Sequence, residues 1–322
     1  MRSSLRHTRR VVARYGHART PCSHLQSRAA AAGQPATQPP PAQTITARIQ
    51  TRSLSISPSR SSSVNPEEIS HFNALASSWW DPLGPSRVLH QMNPLRHDFI
   101  RQCQNSSATS SFAPGQKLRY LDVGCGGGIF AESAARLPTT ESVTAIDPST
   151  EILAVARRHA ARDPALSTTL TYLNKTIDDL PLPTTSATQE DTTTTTTTTR
   201  FDVVSLFEVI EHVDNPSAFL DRCGQFVKPG GWLILSTIAR TWTSWFTTNL
   251  VAEDIIGMVP KGTHDWNKYI NEHELREFFR GRPEWWGAPQ VFGVVYVPGL
   301  GWKEVKGSEK VGNYFFGVQR IQ

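Results

Sequence analysis

The sequence predicts an α/β fold, built on a mostly parallel sheet with helices on its faces. Apolar, strand-like runs alternate with helix-like segments from about residue 117 onward, as in sheets whose strands are joined by helical crossovers. A glycine-rich turn follows the first of these strands, and an acidic residue ends the second. Seven strands are predicted, at 117–123, 143–146, 170–173, 201–207, 232–237, 291–297 and 314–318, with helices at 129–136, 151–161 and 215–226.

Two further helices are predicted ahead of the first strand. The segment Asn65-Pro66-Glu67-Glu68 combines a capping side chain, a proline at the first helical position and acids in the first turn, which is typical of a helix start. Apolar residues at helical spacing continue this helix to about residue 78. A second helix is predicted to begin at Asn93-Pro94-Leu95-Arg96.

The first 66 residues differ in composition from the rest of the chain. They contain ten Arg and no Asp, Glu or Lys, which leaves 23 basic against 28 acidic residues, a formal charge of −5, in 67–322. Because the main domain has no cationic excess, no nucleic-acid partner is expected. An Arg- and Ser-rich segment without acids is typical of a mitochondrial transit peptide, and a disordered basic tail is the alternative. We therefore predict a leader over 1–66 and one domain over 67–322.

Other features of the composition exclude several classes of protein. No stretch reaches the roughly 18 apolar residues that a membrane-spanning helix needs. Outside the leader only Cys103, Cys125 and Cys223 remain, without a CxxC pair, so neither a disulfide framework nor a thiolate zinc site is indicated. A polar insert at 183–200, with eight consecutive Thr, is predicted to be a disordered surface loop.

The candidate ligand site begins at the glycine-rich turn Leu121-Asp-Val-Gly-Cys-Gly-Gly-Gly-Ile129. Such a turn after a strand lets a nucleotide-like ligand lie against the backbone, although glycines can also simply make a tight turn. Asp147 ends the next strand, nineteen residues past Gly128, where an acid can accept hydrogen bonds from ribose hydroxyls. The dinucleotide pattern G-x-G-x-x-G fails, because Ile129 occupies its third glycine position.

The turn resembles the D-V-G-C-G-x-G motif of class I S-adenosylmethionine-dependent methyltransferases. That resemblance implies a Rossmann-like fold with a seven-stranded sheet whose last strand is antiparallel. Longer strings narrow it to the ubiquinone-biosynthesis O-methyltransferase family, in its mitochondrial form; they are Asn93-Pro-Leu-Arg96, Cys125-Gly-Gly-Gly-Ile129 with Ala131-Glu-Ser133, Phe207-Glu-Val-Ile-Glu-His-Val213, Val227-Lys-Pro-Gly-Gly231, Leu235-Ser-Thr237 and Met258-Val-Pro-Lys-Gly-Thr-His-Asp265.

What the resemblance implies is O-methylation of polyprenylated catechols, namely a polyprenyl-dihydroxybenzoate and demethylubiquinol. It also implies S-adenosylmethionine as cofactor, a peripheral place on the matrix side of the mitochondrial inner membrane and other ubiquinone-biosynthesis proteins as partners. Two other functions stay open from the sequence. One is a non-catalytic, cofactor-binding subunit that organises a biosynthetic complex, and the other is C-methylation of the quinone ring.

The resemblance places the cofactor contacts on Arg96, Gly124, Asp147 and Phe207. Arg96 would bind the methionyl carboxylate through its planar fork of donors. Gly124 would let the chain approach the ligand, Asp147 would bind the ribose, and Phe207 would cover the adenosine or sulfonium region. The alternatives are a surface salt bridge for Arg96 and core packing for Phe207.

Glu208, Glu211 and His212 follow the fourth predicted strand. On a helical turn their spacing would put all three on one side, where they could bind one divalent ion, although acids also commonly begin helices without a metal. The resemblance implies a Mg²⁺-type site at these three positions. Without a metal, His212 would be the candidate general base, and His264 is a second candidate whose alternative is a structural bond to Asp265.

A segment rich in Trp, Phe, Ile and Val follows the fifth predicted strand, over residues 241–260. Its apolar residues Trp242, Trp245, Phe246 and Leu250 recur at helical spacing, and a polyprenyl tail would keep the substrate in the bilayer. We predict an interfacial amphipathic helix or a substrate lid. A helix buried against the sheet is the alternative.

Overall fold

The strands in the described part of the chain form one eight-stranded sheet, with the order β3-β2-β1-β4-β5-β8-β6-β7. The computed structural model describes residues 69–70, 72–73, 76–106, 115–183, 200–240 and 268–322. The predicted leader, the body of the Thr-rich insert (184–199), the segment 241–260 and His264 lie outside these residues. The strands are β1 (Leu118–Val123), β2 (Thr140–Asp147), β3 (Leu170–Asn174), β4 (Phe201–Phe207), β5 (Val227–Ile238), β6 (Gln290–Val297), β7 (Gly301–Glu304) and β8 (Asn313–Gln319).

The first five strands are parallel, and the last strand in the chain runs against them. β1 pairs in parallel with β2 and β4, and β8 pairs antiparallel with β5, which confirms the predicted direction of the last strand. The strand order reverses between β1 and β4. In open α/β sheets such a switch point leaves a crevice at the carboxyl ends of the strands, where ligands bind.

Helices cover both faces of the sheet because the central strands are apolar on both sides. β4 is buried along its whole length, as expected for a strand between two helical layers. The helices are α1 (Arg87–Ser106), α2 (Ile129–Ala135), α3 (Thr150–Ala160), α4 (Pro216–Gly224) and α5 (Glu272–Arg280). The side chains of α1 and α2 join one core cluster, and those of α4 and α5 join the other.

Local sequence signals account for several helix starts. Ser149 caps α3 by accepting a hydrogen bond from the Ile152 N–H at 3.0 Å. Asn215 caps α4 in the same way and is followed by Pro216, the residue best suited to a first helical position. Asn271 begins α5 in a reciprocal capping box with Glu274. These caps fix the helix ends that lie near the carboxyl edge of the sheet.

The structure differs from the sequence-based expectation at several elements. β5 begins at Val227, five residues before the predicted start at Trp232. The helix predicted to begin at Asn93 begins at Arg87, so Pro94 lies inside α1; the Asn93 amide donates to Ser133 Oγ at 2.7 Å and ties this turn to α2. β7 is an additional four-residue strand that pairs with β6 across the turn 297–301. α5 was not predicted. No helix among the described residues is long and apolar enough to cross a membrane.

Candidate active site

The loop between β1 and α2 lies at the switch point of the sheet and is shaped by glycine. Gly124, Gly126 and Gly128 have φ angles of 68°, 54° and 86°, a region that side chains other than glycine rarely adopt. The N–H groups of Gly124 and Cys125 donate to the Ile146 carbonyl at 2.9 and 3.0 Å. The loop is therefore fixed to the end of β2, with its backbone at the carboxyl edge of the sheet.

Side chains from two other segments pack closely against this glycine loop. A Cβ atom at Gly124 would lie 2.7 Å from Cγ2 of Val209, in the turn after β4. Cβ atoms at Gly126 and Gly127 would lie 2.5 and 2.1 Å from ring atoms of Trp79. The loop thus needs glycine for close packing as well as for its backbone angles, and the simple tight-turn interpretation explains only part of it.

Asp147 lies directly beside the glycine loop, as the sequence predicted for a ribose-binding acid. Its Oδ2 accepts from the Gly126 N–H, and its Oδ1 accepts from the Ser149 N–H, both at 2.9 Å. Burial raises the pKa of Asp147, and these two hydrogen bonds oppose the rise. A carboxylate offers about four lone-pair positions, so both oxygens keep capacity for ligand hydroxyls while they brace the loop.

Arg96 is buried on α1, at 4% exposure, which excludes the alternative of an ordinary surface salt bridge. Its guanidinium carbon lies 4.8 Å from the centroid of the Phe207 ring, at the end of β4. Desolvation lowers the pKa of Arg96, and the charges of Glu208 and Asp122 oppose this. Its Nε is buried with no hydrogen-bond partner among the described residues. A buried cation with an unused donor suits a ligand carboxylate.

Phe207 has a packing role in addition to its place at the site. Its ring meets that of Phe130, in the first turn of α2, at 4.6 Å between centroids, and it belongs to the buried cluster on that face. Phe207 therefore packs in the core, and its contact with a ligand stays a prediction. The same contact connects the Arg96 side chain to the helix that follows the glycine loop.

Asp122 is a buried site residue to which sequence reasoning gave no role. Ser205 Oγ donates to its Oδ1 at 2.7 Å. Desolvation raises the pKa of Asp122 to about 7, against the hydrogen bond from Ser205 and the charge of Arg96, while the charge of Asp147 adds to the rise. The signal was present in the motif Leu121-Asp122-Val123-Gly124, where an acid immediately precedes the loop on an otherwise apolar strand.

We expect Asp122→Asn to stabilise the protein at pH 8 and to change its stability little near pH 4. The pKa of Asp122 rises from 3.8 to about 7 on folding, so the native state binds the extra proton between these values. Stability from this group is therefore lost as the pH rises through that window, by an amount of about 4 kcal/mol at most. Urea unfolding at the two pH values measures the difference.

Asp163→Asn is the matched control for the pH experiment. The partly exposed Asp163 is paired with Arg136, and its pKa is lowered, first by that side-chain hydrogen bond. Its contribution is therefore present above pH 4 and lost on acidification, with a sign opposite to that of Asp122. An Asp122→Asn variant with the same pH dependence as the wild type would contradict the assignment.

Glu208, Glu211 and His212 follow β4, but they do not share a helix. Glu208 has a φ of 58°, the one left-handed residue other than glycine among the described residues, and only Ile210–His212 form a single 3₁₀ turn. The helical turn assumed from the spacing is therefore wrong. Ser236 Oγ donates to Glu208 Oε1 at 2.6 Å, and Thr237 Oγ1 donates to Glu211 Oε2 at 2.9 Å.

The charges of these three residues still interact. Glu211 is buried, and its pKa is raised to about 7, first by desolvation and then by the charge of Glu208, while His212 acts in the opposite direction. Within the described part of the chain, no group of three or more His, Cys, Asp or Glu side chains is arranged to hold a metal ion. The structure thus places two carboxylates and an imidazole near the switch point, and their binding of a metal ion stays a prediction.

Residues ahead of α1 lie across this edge of the sheet, and sequence reasoning did not place them there. We call residues 72–73 and 76–80 the cap segment. The Phe72 ring meets His212 edge-on at 5.0 Å, and Asn73 Nδ2 donates to Glu151 Oε2 at 3.1 Å. Trp80 Nε1 donates to the Gly127 carbonyl at 2.8 Å. The cap segment therefore connects the turn after β4, the start of α3 and the glycine loop.

Comparison with known proteins relates this arrangement to characterised folds. A family model described as "Methyltransferase domain" matches residues 88–282. A Candida albicans protein named ubiquinone biosynthesis O-methyltransferase, mitochondrial, is 38% identical over 298 residues, covering 81% of this chain and 86% of that protein. A Schizosaccharomyces pombe protein of the same name is 40% identical over 270 residues, with 82% and 90% coverage. A third, from Arabidopsis thaliana, is 35% identical, with 80% and 75% coverage.

Solved structures at low sequence identity share the fold. Magnesium protoporphyrin IX methyltransferase from Synechocystis PCC 6803, with bound SAH, superposes with a TM-score of 0.51 at 15% identity, covering 78% of this chain and 97% of that one. The predicted fold class is confirmed, with one strand more than the seven expected.

Proposed function

The chain belongs to the ubiquinone biosynthesis O-methyltransferase family, and from this premise we propose that it methylates a phenolic oxygen of polyprenylated catechols in mitochondria. The enzyme class predicted from the sequence, an S-adenosylmethionine-dependent methyltransferase, is the class to which the chain belongs. The proposed substrates are a polyprenyl-dihydroxybenzoate and demethylubiquinol, which agree with the names of the relatives.

One observation carries the proposed position of the cofactor. A glycine loop, a buried acid and a buried arginine with an unused Nε meet at the switch point between β1 and β4. Arg96 would bind the methionyl carboxylate, and the free lone pairs of Asp147 would accept the ribose hydroxyls. Gly124 would allow backbone contact, and Phe207 would lie against the sulfonium side of the ligand.

The chemistry of methyl transfer favours such a site. A phenolate oxygen attacks the methyl carbon in line, and the electrons of the breaking bond return to sulfur, so a cation and an anion are both neutralised. A buried pocket that aligns the two centres therefore accelerates the reaction. Formation of the phenolate is the harder step, since a phenol has a pKa of about 10.

We include metal assistance in the proposal, with Glu208, Glu211 and His212 as the residues that would hold a divalent cation, Mg²⁺ in type. The support is the chemistry of the donors. Two mutually repelling carboxylates with an adjacent imidazole suit a hard divalent cation. Such a cation would lower the pKa of a bound catechol hydroxyl. In a metal-free reaction His212 would instead accept the proton.

The polyprenyl tail places the reaction at a membrane surface. We propose peripheral contact with the matrix side of the inner membrane, through the segment 241–260, and import by the leader over 1–66. Other ubiquinone-biosynthesis proteins are proposed partners, because membrane-bound intermediates must pass from one enzyme to the next. Deletion of 241–259 is expected to abolish binding to liposomes in a flotation assay, and unchanged binding would contradict the membrane role.

The proposed reaction can be tested with the full chain, S-adenosylmethionine and a short-chain prenylated catechol, with and without chelator. Mass spectrometry then locates the added methyl group. We expect a methyl ether whose formation stops with chelator and returns with Mg²⁺. His212→Ala should abolish activity even with added Mg²⁺.

The other outcomes separate the alternatives. A methyl ether that resists chelation contradicts metal assistance and leaves His212 as the general base. A methyl group on ring carbon supports C-methylation. Cofactor binding by calorimetry without any product supports the non-catalytic organising subunit.

A further inference from the structure

A stack of side chains outside the predicted site fixes the last part of the glycine loop. The indole ring of Trp80 lies parallel to the His159 ring, with 3.4 Å between centroids and 4° between planes. At its other end, Trp80 Nε1 donates to the Gly127 carbonyl at 2.8 Å. One side chain of the cap segment therefore connects α3 with the loop.

His159 is held in turn by a buried carboxylate. Its Nδ1 lies 2.9 Å from both carboxylate oxygens of Glu132, whose side chain is fully buried. Arg136 also donates to Glu132, at 3.0 Å. Burial of a charged group is costly unless it is paired and hydrogen-bonded. The contacts with His159 and Arg136 therefore fix the position of this carboxylate.

These contacts form a closed ring that begins and ends at the glycine loop. Glu132 belongs to the first turn of α2, and its N–H donates to the Gly128 carbonyl at 2.9 Å. The path from Gly127 through Trp80, His159 and Glu132 thus returns to the residue next to Gly127. Adjacent glycines have the widest choice of backbone angles, and a closed set of contacts restricts that choice.

We propose that Trp80, His159 and Glu132 are positioning residues that hold the glycine loop in the conformation that binds S-adenosylmethionine. They act through the Gly127 carbonyl and need not touch the reacting atoms. The neighbouring Trp79 packs closely against Gly126 and Gly127. The inference rests on the proposed binding of the cofactor at the glycine loop. The three residues would preorganise that binding site.

The test compares Trp80→Phe with Trp302→Phe in the full chain. Trp302 Nε1 donates to the Val88 carbonyl at 2.8 Å, so both variants remove an indole bond of the same length. We expect Trp80→Phe to raise the Kd for S-adenosylmethionine in calorimetry by up to about tenfold, because one lost hydrogen bond lowers the population of the binding-competent loop by at most about that factor. Trp302→Phe should leave the Kd unchanged. The KM for S-adenosylmethionine should rise with the Kd, whereas the KM for the catechol should not.

Two variants of the buried acid provide the second comparison. Glu132→Gln keeps an acceptor for His159 and should bind S-adenosylmethionine nearly as the wild type does, whereas Glu132→Ala should weaken binding like Trp80→Phe. If Glu132→Ala does not fold, the tryptophan pair carries the test alone.

Wild-type affinity in Trp80→Phe, or an equal rise in both KM values, overturns the positioning role. If the wild type itself does not bind S-adenosylmethionine, the proposed cofactor site is wrong and this inference fails with it. That result differs from a failure of the positioning role alone, in which the wild type binds and the variant binds equally well.

Discussion

Replacing Arg96 with Met is expected to raise the Kd for S-adenosylmethionine by a factor of about 30 to several thousand, corresponding to about 2–5 kcal/mol for a lost buried charge partner. The variant keeps an unbranched side chain of roughly similar volume but removes the cation that would meet the ligand carboxylate. Isothermal titration calorimetry measures the affinity directly. Arg96→Lys should recover only part of it, because an ammonium lacks the planar fork of donors.

The same substitution should hardly change the stability of the cofactor-free protein. Desolvation lowers the pKa of Arg96, and its Nε has no partner among the described residues, so this cation is costly to bury. Its attraction to Asp122 and Glu208 offsets that cost. Loss of one partner of a buried pair usually costs stability because the opposite charge is left unpaired. Here that cost is small, because Asp122, with a pKa of about 7, can take up a proton and Glu208 is only partly buried. The melting temperature should therefore lose its response to S-adenosylmethionine while its value without ligand stays similar.

Arg320→Met is the matched control for Arg96→Met. Arg320 is also buried, and desolvation also lowers its pKa, but its Nη1 donates to the carbonyls of Gly224 and Val227 at 2.8 and 2.9 Å. Its loss should lower the melting temperature and leave the affinity for S-adenosylmethionine unchanged. An Arg96→Met variant with wild-type affinity would remove the proposed carboxylate-binding role.

The contrast between these arginines shows which part of the site was readable from sequence. The strand ending at Phe207, the glycine loop and Asp147 were predicted because a buried apolar run, glycine spacing and a strand-end acid are local patterns. The position of Arg96 came only from its family motif. Its burial depends on the packing of α1 against the sheet, which no local pattern encodes.

The elements that were missed or misjudged have physical reasons. β7 is a short edge strand whose sequence, Gly-Trp-Lys-Glu, is half polar, so it lacks the apolar run of a central strand. Glu208 adopts a left-handed backbone, which its residue type does not signal, and the helical spacing assumed for the metal ligands failed there. Trp80 contacts a loop 47 residues away, and periodicity carries no information about such pairs.

Gly124→Ala is expected to cost both stability and cofactor binding. Its φ of 68° imposes about 1–2 kcal/mol on a residue with a Cβ. That Cβ would also lie 2.7 Å from Val209 Cγ2, and overpacking of this kind adds about 1–3 kcal/mol. Because Val209 adjoins Glu208, its displacement would disturb the turn after β4 as well as the glycine loop. We expect a clear fall in melting temperature and the loss of measurable S-adenosylmethionine binding.

Gly299→Ala separates the two causes. Gly299 lies in the turn between β6 and β7 with a φ of 80°, and a Cβ there would meet nothing within 4 Å. It should therefore show the backbone cost alone, with unchanged binding. Adding Val209→Ala to Gly124→Ala should return the part of the stability that was lost to steric overlap, but not the backbone part. If Gly124→Ala and Gly299→Ala lose the same stability and bind S-adenosylmethionine equally, close packing at the loop does not shape the cofactor site.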